Sequence, residues 1–235
     1  MSLPFFYSNE INSSHTSFVL NEETSKHVVQ VLRMKPGEQL QLTDGKGNIF
    51  TTEITDDHKK RTAVKILSSA CIQAPRQKIS IAISLVKNNS RFEWFLEKAT
   101  EIGVNEIIPL ICTRTEKQHF RYDRMNAILI SAMLQSQQSW LPDLHEPIPF
   151  NKLVNTTFVD TDKFIAHCLP EQKQSLHQVM ATHPARMILI GPEGDFTNDE
   201  IEAAIKNNFQ PVALGETRLR TETAGMYAAV LLRTM

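Results

Sequence analysis

The chain has 235 residues, room for one or two domains at roughly 150 residues each and enough to bury a core without disulfide or metal staples. A hydrophobic fraction of 41% and a charged fraction of 22% are ordinary globular values and exclude disorder, collagen and coiled coil. With 25 Lys and Arg against 26 Asp and Glu, the net charge of −1 supplies no strong field to gather nucleic acid or acidic substrates from a distance.

The first 72 or so residues predict a small, mostly antiparallel β domain. A short helix spans about Thr24 to Met34 and stops at Pro36-Gly37. Leu40 to Thr43 and Ile49 to Ile54 alternate around Asp44-Gly45-Lys46-Gly47-Asn48, a hairpin signal. Arg61 to Leu67 is a third strand by its β-branched content. Residues 71–77 carry a proline and no periodicity, and are read as the linker.

Beyond the linker, strands and helices alternate. Ile79 to Val86 is an apolar run suited to a strand covered on both faces. Ser90-x-x-Glu93 reads as a capping box opening a helix. Its apolar face is Phe92, Phe95, Leu96, Ala99 and Ile102, with Trp94 expected in the core. Ile107 to Cys112 is a strand, and a helix runs from about Asp123 to Ser139, with Trp140 beyond it as the more exposed tryptophan. Phe164 to Cys168 is the next strand. Arg186 to Ile190 is a strand ending in Gly191, and a second capping box, Thr197-x-x-Glu200, opens a helix to about Asn207. Pro211 to Leu214 is a strand ending in Gly215, and Thr221 to Thr234 is a last helix, apolar almost all round. This alternation predicts an α/β domain with a parallel sheet. The final helix is either a central core helix or part of a subunit interface.

Further exclusions follow from spacing. Met226 to Leu232 is too short to cross a membrane, and Met1 to Glu10 lacks a basic stretch ahead of an apolar one, so no secretory signal is expected. Cys71, Cys112 and Cys168 are odd in number and far apart, which fits a reducing compartment better than a disulfide framework. No His or Cys cluster has metal-ligand spacing, so no metal is expected.

Two loops that follow predicted parallel strands carry the candidate chemistry: Gly191-Pro192-Glu193-Gly194-Asp195-Phe196, and Gly215 to Thr223. Ligands of open parallel sheets bind outside the carboxyl ends of the strands. The alternative is that both are ordinary, well-capped turns. No lysine follows the glycines as in a P-loop, and the one G-x-G, Gly45-Lys46-Gly47, lies in the hairpin. Glu193 and Asp195 would repel phosphate and suit a cationic or sugar-like ligand. Residues 76–124 hold nine Lys and Arg against six acids. Lys87, Arg91, Arg114, Lys117, Arg121 and Arg124 are therefore candidates for an RNA phosphate patch, with Arg33, Lys35 and Lys46 a smaller one. The alternative for each is a solvated surface charge.

Several stretches together resemble a known family. They are Lys26-His27-Val28-Val29-Gln30-Val31-Leu32-Arg33-Met34-Lys35-Pro36-Gly37, Asp44-Gly45-Lys46-Gly47, Glu97-Lys98-Ala99-Thr100-Glu101-Ile102-Gly103-Val104, Ile108-Pro109-Leu110, Ile190 to Phe196, and Leu219-Arg220-Thr221-Glu222-Thr223-Ala224. The chain resembles, nearly end to end, the RsmE-type 16S ribosomal RNA uridine-N3 methyltransferases of the SPOUT superfamily. That resemblance implies a PUA-like RNA-binding β-barrel over 1–72 and a knotted α/β methyltransferase domain over 73–235. It also implies S-adenosylmethionine as methyl donor and a cytoplasmic homodimer acting on 16S rRNA of the small ribosomal subunit. The cofactor walls it implies are Ile190, Gly191, Pro192, Glu193, Gly194, Leu214, Gly215, Leu219, Arg220, Thr221, Thr223 and Ala224. Arg220 would stabilise charge developing on the uracil carbonyls, with an ion pair to Glu222 or a loop clamp as its alternative. Glu222 would hold the loop or assist proton removal. Arg33, Lys35, Lys87, Arg91 and Arg114 are the RNA contacts to consider. Three departures from the family pattern stand out: no acid in Ala132 to Ser139, no basic residue in Met1 to Tyr7, and Glu216-Thr217-Arg218 where a proline and an apolar residue are usual. A non-catalytic RNA-binding or ribosome-assembly protein on this fold, or the same chemistry on another RNA, is the alternative function.

Overall fold

In a computed structural model of the chain, residues 3–116, 119–170 and 172–235 are described. They form two compact units. One contains the residues up to Ala74 together with Met133–Leu141, the other Pro75–Ala132 with Pro142–Met235.

The first unit is a five-stranded sheet built from β1 (Phe5–Tyr7), β2 (Ser17–Val19), β3 (Gln39–Thr43), β4 (Asn48–Asp56) and β5 (Ala63–Cys71), in the order β1-β3-β4-β5-β2. Only β1 pairs in parallel, with β3. Alternation sends Leu40 and Leu42 inward, where they meet Phe50, Ile54 and Val64 in a closed core. Asp44 organises the β3–β4 turn: one carboxylate oxygen accepts from the amides of Lys46 and Asn48, the other from the Asn48 side chain.

The short helix differs from its expected span. Asn21 caps α1 (Glu22–Lys26) by accepting from the Thr24 amide, and the coil then widens into a π-turn over His27–Val31. The Leu32 amide reaches back to the His27 carbonyl, leaving Val28 buried and Val31 outward. The two tryptophans exchange their expected settings. Trp140 is half-buried in the first unit, its Nε1 donating to the Ile72 carbonyl at 3.1 Å. It packs on Gly47, whose φ of +91° and lack of Cβ admit it: a Cβ there would stand 2.5 Å from the ring. Trp94 is 40% exposed.

The second unit is a parallel sheet with helices on its faces. In chain order it has β6 (Lys78–Ser84), α2 (Asn89–Ile102), β7 (Glu106–Ile111), α3 (Tyr122–Gln135), β8 (Asp143–Leu144), β9 (Ile148–Pro149), α4 (Phe150–Val154), β10 (Thr161–Ala166), β11 (Gln174–Ser175), β12 (Ala185–Ile190), α5 (Asn198–Lys206), β13 (Gln210–Ala213) and α6 (Thr221–Thr234). The strand order is β11-β13-β10-β12-β6-β7-β8, with β9 on β7. Every pairing is parallel. The apolar runs of β6 and β12 are buried because both faces are covered.

The Ser90–Glu93 capping box does not form. Asn88 is the N-cap of α2, accepting from Ser90 N, and Glu93 turns instead to a two-pronged ion pair with Arg124 at 2.6 and 2.8 Å. The box at Thr197 and Glu200 does form, with both of its bonds present.

α6 packs on α2, β6 and β12. Gly225 permits that approach: a Cβ would lie 2.7 Å from Ile83 Cδ1 and 2.8 Å from Phe95 Cε2, both fully buried. Gly225→Val is therefore expected to destabilise the protein by ~1–3 kcal/mol through overpacking. A urea titration should show a lower midpoint with an unchanged slope.

Candidate active site

β10, β12 and β13 are neighbours whose carboxyl ends fall on one edge of the sheet, Ala166 being paired with both Ile190 and Val212. The chain leaves this edge in three loops: one after β10, one between β12 and α5, and one between β13 and α6. They enclose a cavity of about 630 Å³, within the range of small-molecule sites.

Its walls include Ile190, Gly191, Pro192, Glu193, Leu214, Gly215, Leu219, Arg220, Thr221 and Ala224. Gly194 and Thr223 do not line it. Gly194 faces away, its carbonyl accepting from Arg114 Nη1 at 2.6 Å. The first of the three loops, which carries no glycine or capping-box signal in sequence, contributes His167, Cys168 and Lys173, while Asp195 of the second loop lines the cavity beside Glu193. The signal available for that loop is the end of β10 itself, whose carboxyl edge faces the cavity.

Local bonds fix the loops. Thr221, buried at the first turn of α6, donates its hydroxyl to the Gly191 carbonyl at 3.0 Å and joins the second loop to the third. Asp195 adopts φ +63°; one carboxylate oxygen accepts from the Phe196 amide and the other from the Cys168 amide, each at 2.8 Å. Phe196 is buried against Phe150 and anchors the loop in the core. Glu193 accepts from the Lys87 amide at 3.1 Å.

Glu200, 5% exposed, binds outward from the capping box. One oxygen takes the amide and hydroxyl of Thr113, the other the amide and hydroxyl of Thr197. It thus ties the loop after β7 to the start of α5. Burial, with Glu200 adding negative charge, pushes the Cys112 thiol up to about 12 and keeps it protonated. Burial, then the Asp195 charge, also raises the Cys168 thiol above its ordinary value.

The expected alternative of an Arg220–Glu222 ion pair is not observed. Glu222 is buried and its nearest cation is Arg91, Nε to Oε1 at 3.7 Å. The exposed Arg220 lines the cavity, and its guanidinium has no hydrogen-bond or ion-pair partner among the described residues. Several candidate RNA-contacting cations are engaged within the fold. Arg114 also donates to the Phe196 carbonyl, Lys87 pairs with Glu116 at 2.7 Å, and Lys35 pairs with Asp57 at 3.2 Å. The hydrogen bond to Glu116 raises the Lys87 ammonium above its ordinary value. Arg33 is exposed at φ +57°. Lys117 lies outside the described residues.

Comparison with known proteins bears directly on these loops. Residues 73–233 match the family model described as an RNA methyltransferase domain, and residues 20–67 the one described as an RNA methyltransferase PUA domain. The chain belongs to the RNA methyltransferase family. The ribosomal RNA small subunit methyltransferase E of Buchnera aphidicola subsp. Acyrthosiphon pisum is 30% identical over 99% of this chain and 94% of its own length. Two solved structures share the fold end to end. The crystal structure of a probable rRNA methyltransferase from Porphyromonas gingivalis has a TM-score of 0.91 at 35% identity, covering 99% of this chain and 98% of that one. The ribosomal RNA small subunit methyltransferase E of Neisseria gonorrhoeae, solved bound to S-adenosyl methionine, has a TM-score of 0.89 at 30% identity with the same coverage. Within this methyltransferase unit, Glu200→Ala is expected to cost about 2–3 kcal/mol by breaking the capping box and leaving the Thr113 and Thr197 amides unpaired. Thermal unfolding followed by circular dichroism measures it.

Proposed function

We propose that the protein transfers a methyl group from S-adenosylmethionine to N3 of a uridine in 16S rRNA of the small ribosomal subunit. The observation that carries this reading is the cavity at the ends of β10, β12 and β13, in a chain whose Neisseria relative was solved bound to that cofactor. The residues fit such a ligand. Backbone at Gly191 and Gly215 allows close approach, and Glu193 and Glu216 bring negative charge to the wall facing a cationic ligand. The residues holding it would be Ile190, Gly191, Pro192, Glu193, Leu214, Gly215, Leu219, Arg220, Thr221 and Ala224 on the lining, with Gly194 and Thr223 backing it. When bound, the cofactor supplies an electrophilic methyl group on a sulfonium.

The chain's own residues then have two tasks. One is to hold the uracil so that N3 faces the methyl group, since alignment supplies roughly 7–11 kcal/mol in favourable cases. The other is to stabilise the uracil as N3 loses its proton. We give this second role to Arg220, because its uncommitted guanidinium lines the cavity and can donate to the uracil carbonyls as charge develops on them. Glu222, buried beside Arg91, holds the start of α6. The target base must leave its stack to enter. Arg33, Lys35, Lys87, Arg91 and Arg114 lie on the surfaces we assign to RNA. Lys87, Arg91 and Arg114 act there in part by holding the loops.

We read the C-terminal passage as the trefoil knot of the SPOUT superfamily. The chain leaves β13, passes β10 and β12, and packs α6 on β6. We read the outward side of α6 as the homodimer contact, because Tyr227 and Val230 are each 38% exposed there.

Purified protein incubated with labelled S-adenosylmethionine and small subunits lacking the modification should yield 3-methyluridine, identified by mass spectrometry after digestion. Arg220→Ala should slow the reaction by about 10²-fold, as removal of one charge-stabilising donor does. Full activity in that variant contradicts the role given to Arg220. Cofactor binding without label would mark a different RNA as substrate, and absence of both would mark a non-catalytic RNA-binding protein.

A further inference from the structure

We propose that Asp195 is a positioning residue, a latch that ties the loop after β10 to the loop after β12 and so holds the third wall of the cavity in place. The inference rests on the reading of that cavity as the cofactor site.

The latch is made of two hydrogen bonds from one carboxylate. The bond to the Phe196 amide is local and fixes the side chain. The bond to the Cys168 amide spans 27 residues and joins two separate loops. The backbone is shaped to deliver it: the Asp195 amide donates to the Pro192 carbonyl at 2.9 Å, closing the turn, and the residue sits at φ +63° with its carboxylate on the Cys168 amide. Aspartate is among the few side chains that accept this backbone region.

On the far side, Lys173 Nζ donates to the carbonyls of His167 and Leu169, at 2.9 and 2.5 Å. Those bonds hold His167, Leu169 and Lys173 to one another; the bond from Cys168 to Asp195 joins them to the second loop. Cys168, Lys173 and Asp195 all line the cavity. Releasing the latch therefore frees a wall rather than a distant surface. A binding-competent arrangement populated only part of the time weakens apparent affinity by that fraction.

An alternative role for Asp195 is direct charge pairing with a cationic ligand. The two roles separate on substitution. Asp195→Gly suits φ +63° but has no acceptor, so it opens the latch without backbone strain. Asp195→Asn keeps one acceptor for the Cys168 amide and tolerates the same φ, but carries no charge.

The test combines calorimetric titration of S-adenosylmethionine with hydrogen–deuterium exchange of the Ala166–Leu169 segment. For Asp195→Gly, Kd is expected to rise ~10-fold, with the Cys168 amide losing protection while β12 stays protected. Asp195→Asn should bind within ~3-fold of the wild type and keep the Cys168 protection. Wild-type affinity and protection in Asp195→Gly would overturn the latch. Equal loss in the glycine and asparagine variants would overturn it in favour of charge pairing. Failure of the wild-type protein to bind S-adenosylmethionine would overturn the proposed cofactor site instead. The Cys168 exchange in the unliganded variants still decides whether the latch bond exists.

Discussion

The hydrogen bond from Thr221 to the Gly191 carbonyl is the constraint on which the site depends. It joins the end of one buried strand to the first turn of the last helix. Everything it needs is local in type and distant in sequence. β12 must end at Gly191 with its carbonyl uncommitted to the sheet. α6 must begin where the side chain at its first position points inward. Gly225 must let the helix descend onto Ile83 and Phe95. Because β10 lies beside β12 and β13 beside β10, the cavity opens where three adjacent parallel strands end. A parallel sheet buried on both faces offers ligands its loop edge and little else.

Charge is distributed according to the same logic. Most basic side chains near the site are engaged by acids or carbonyls: Arg114 by Gly194 and Phe196, Arg91 by Glu222, Arg124 by Glu93, Lys87 by Glu116. Arg220 is left on the cavity wall with an uncommitted guanidinium. A donor already paired would have to break that pair to stabilise charge in a reaction; a free one needs no such reorganisation. The near-zero net charge of the chain fits recognition through such local groups better than indiscriminate attraction to RNA.

Much of this architecture was legible in the residues. The β3–β4 hairpin carries its own turn chemistry in Asp44, Gly45 and Gly47, and the apolar runs of β6 and β12 declare strands covered on both faces. The loops after β12 and β13 announce themselves by glycines at strand ends and, for the first, by a working capping box. What escaped depends on partners far along the chain. Ser90 and Glu93 have capping spacing, but Asn88 caps first and Glu93 is drawn to Arg124. Trp94 sits beside an apolar helix face yet points out, while Trp140 follows a polar stretch yet packs on Gly47. Helical periodicity places side chains only to within part of a turn, and a glycine's missing Cβ becomes a binding surface only when the partner is known. The third cavity wall, from His167 to Lys173, has no glycine and no capping box. Its place in the site rests on Asp195 and on Lys173, and neither bond leaves a pattern in sequence.

Whether S-adenosylmethionine occupies this cavity can be read directly at Cys168. It lines the cavity and is exposed, whereas Cys112 is buried and held as a thiol. In a Cys71→Ser background, Cys168 is then the only accessible thiol among the described residues. The decisive measurement is its rate of alkylation by a maleimide with and without saturating S-adenosylmethionine. Slowing by roughly tenfold or more, as expected when a bound ligand leaves few molecules open, is what a cofactor seated between the three loops requires. An unchanged rate under conditions where binding is established would place the cofactor elsewhere and contradict the account.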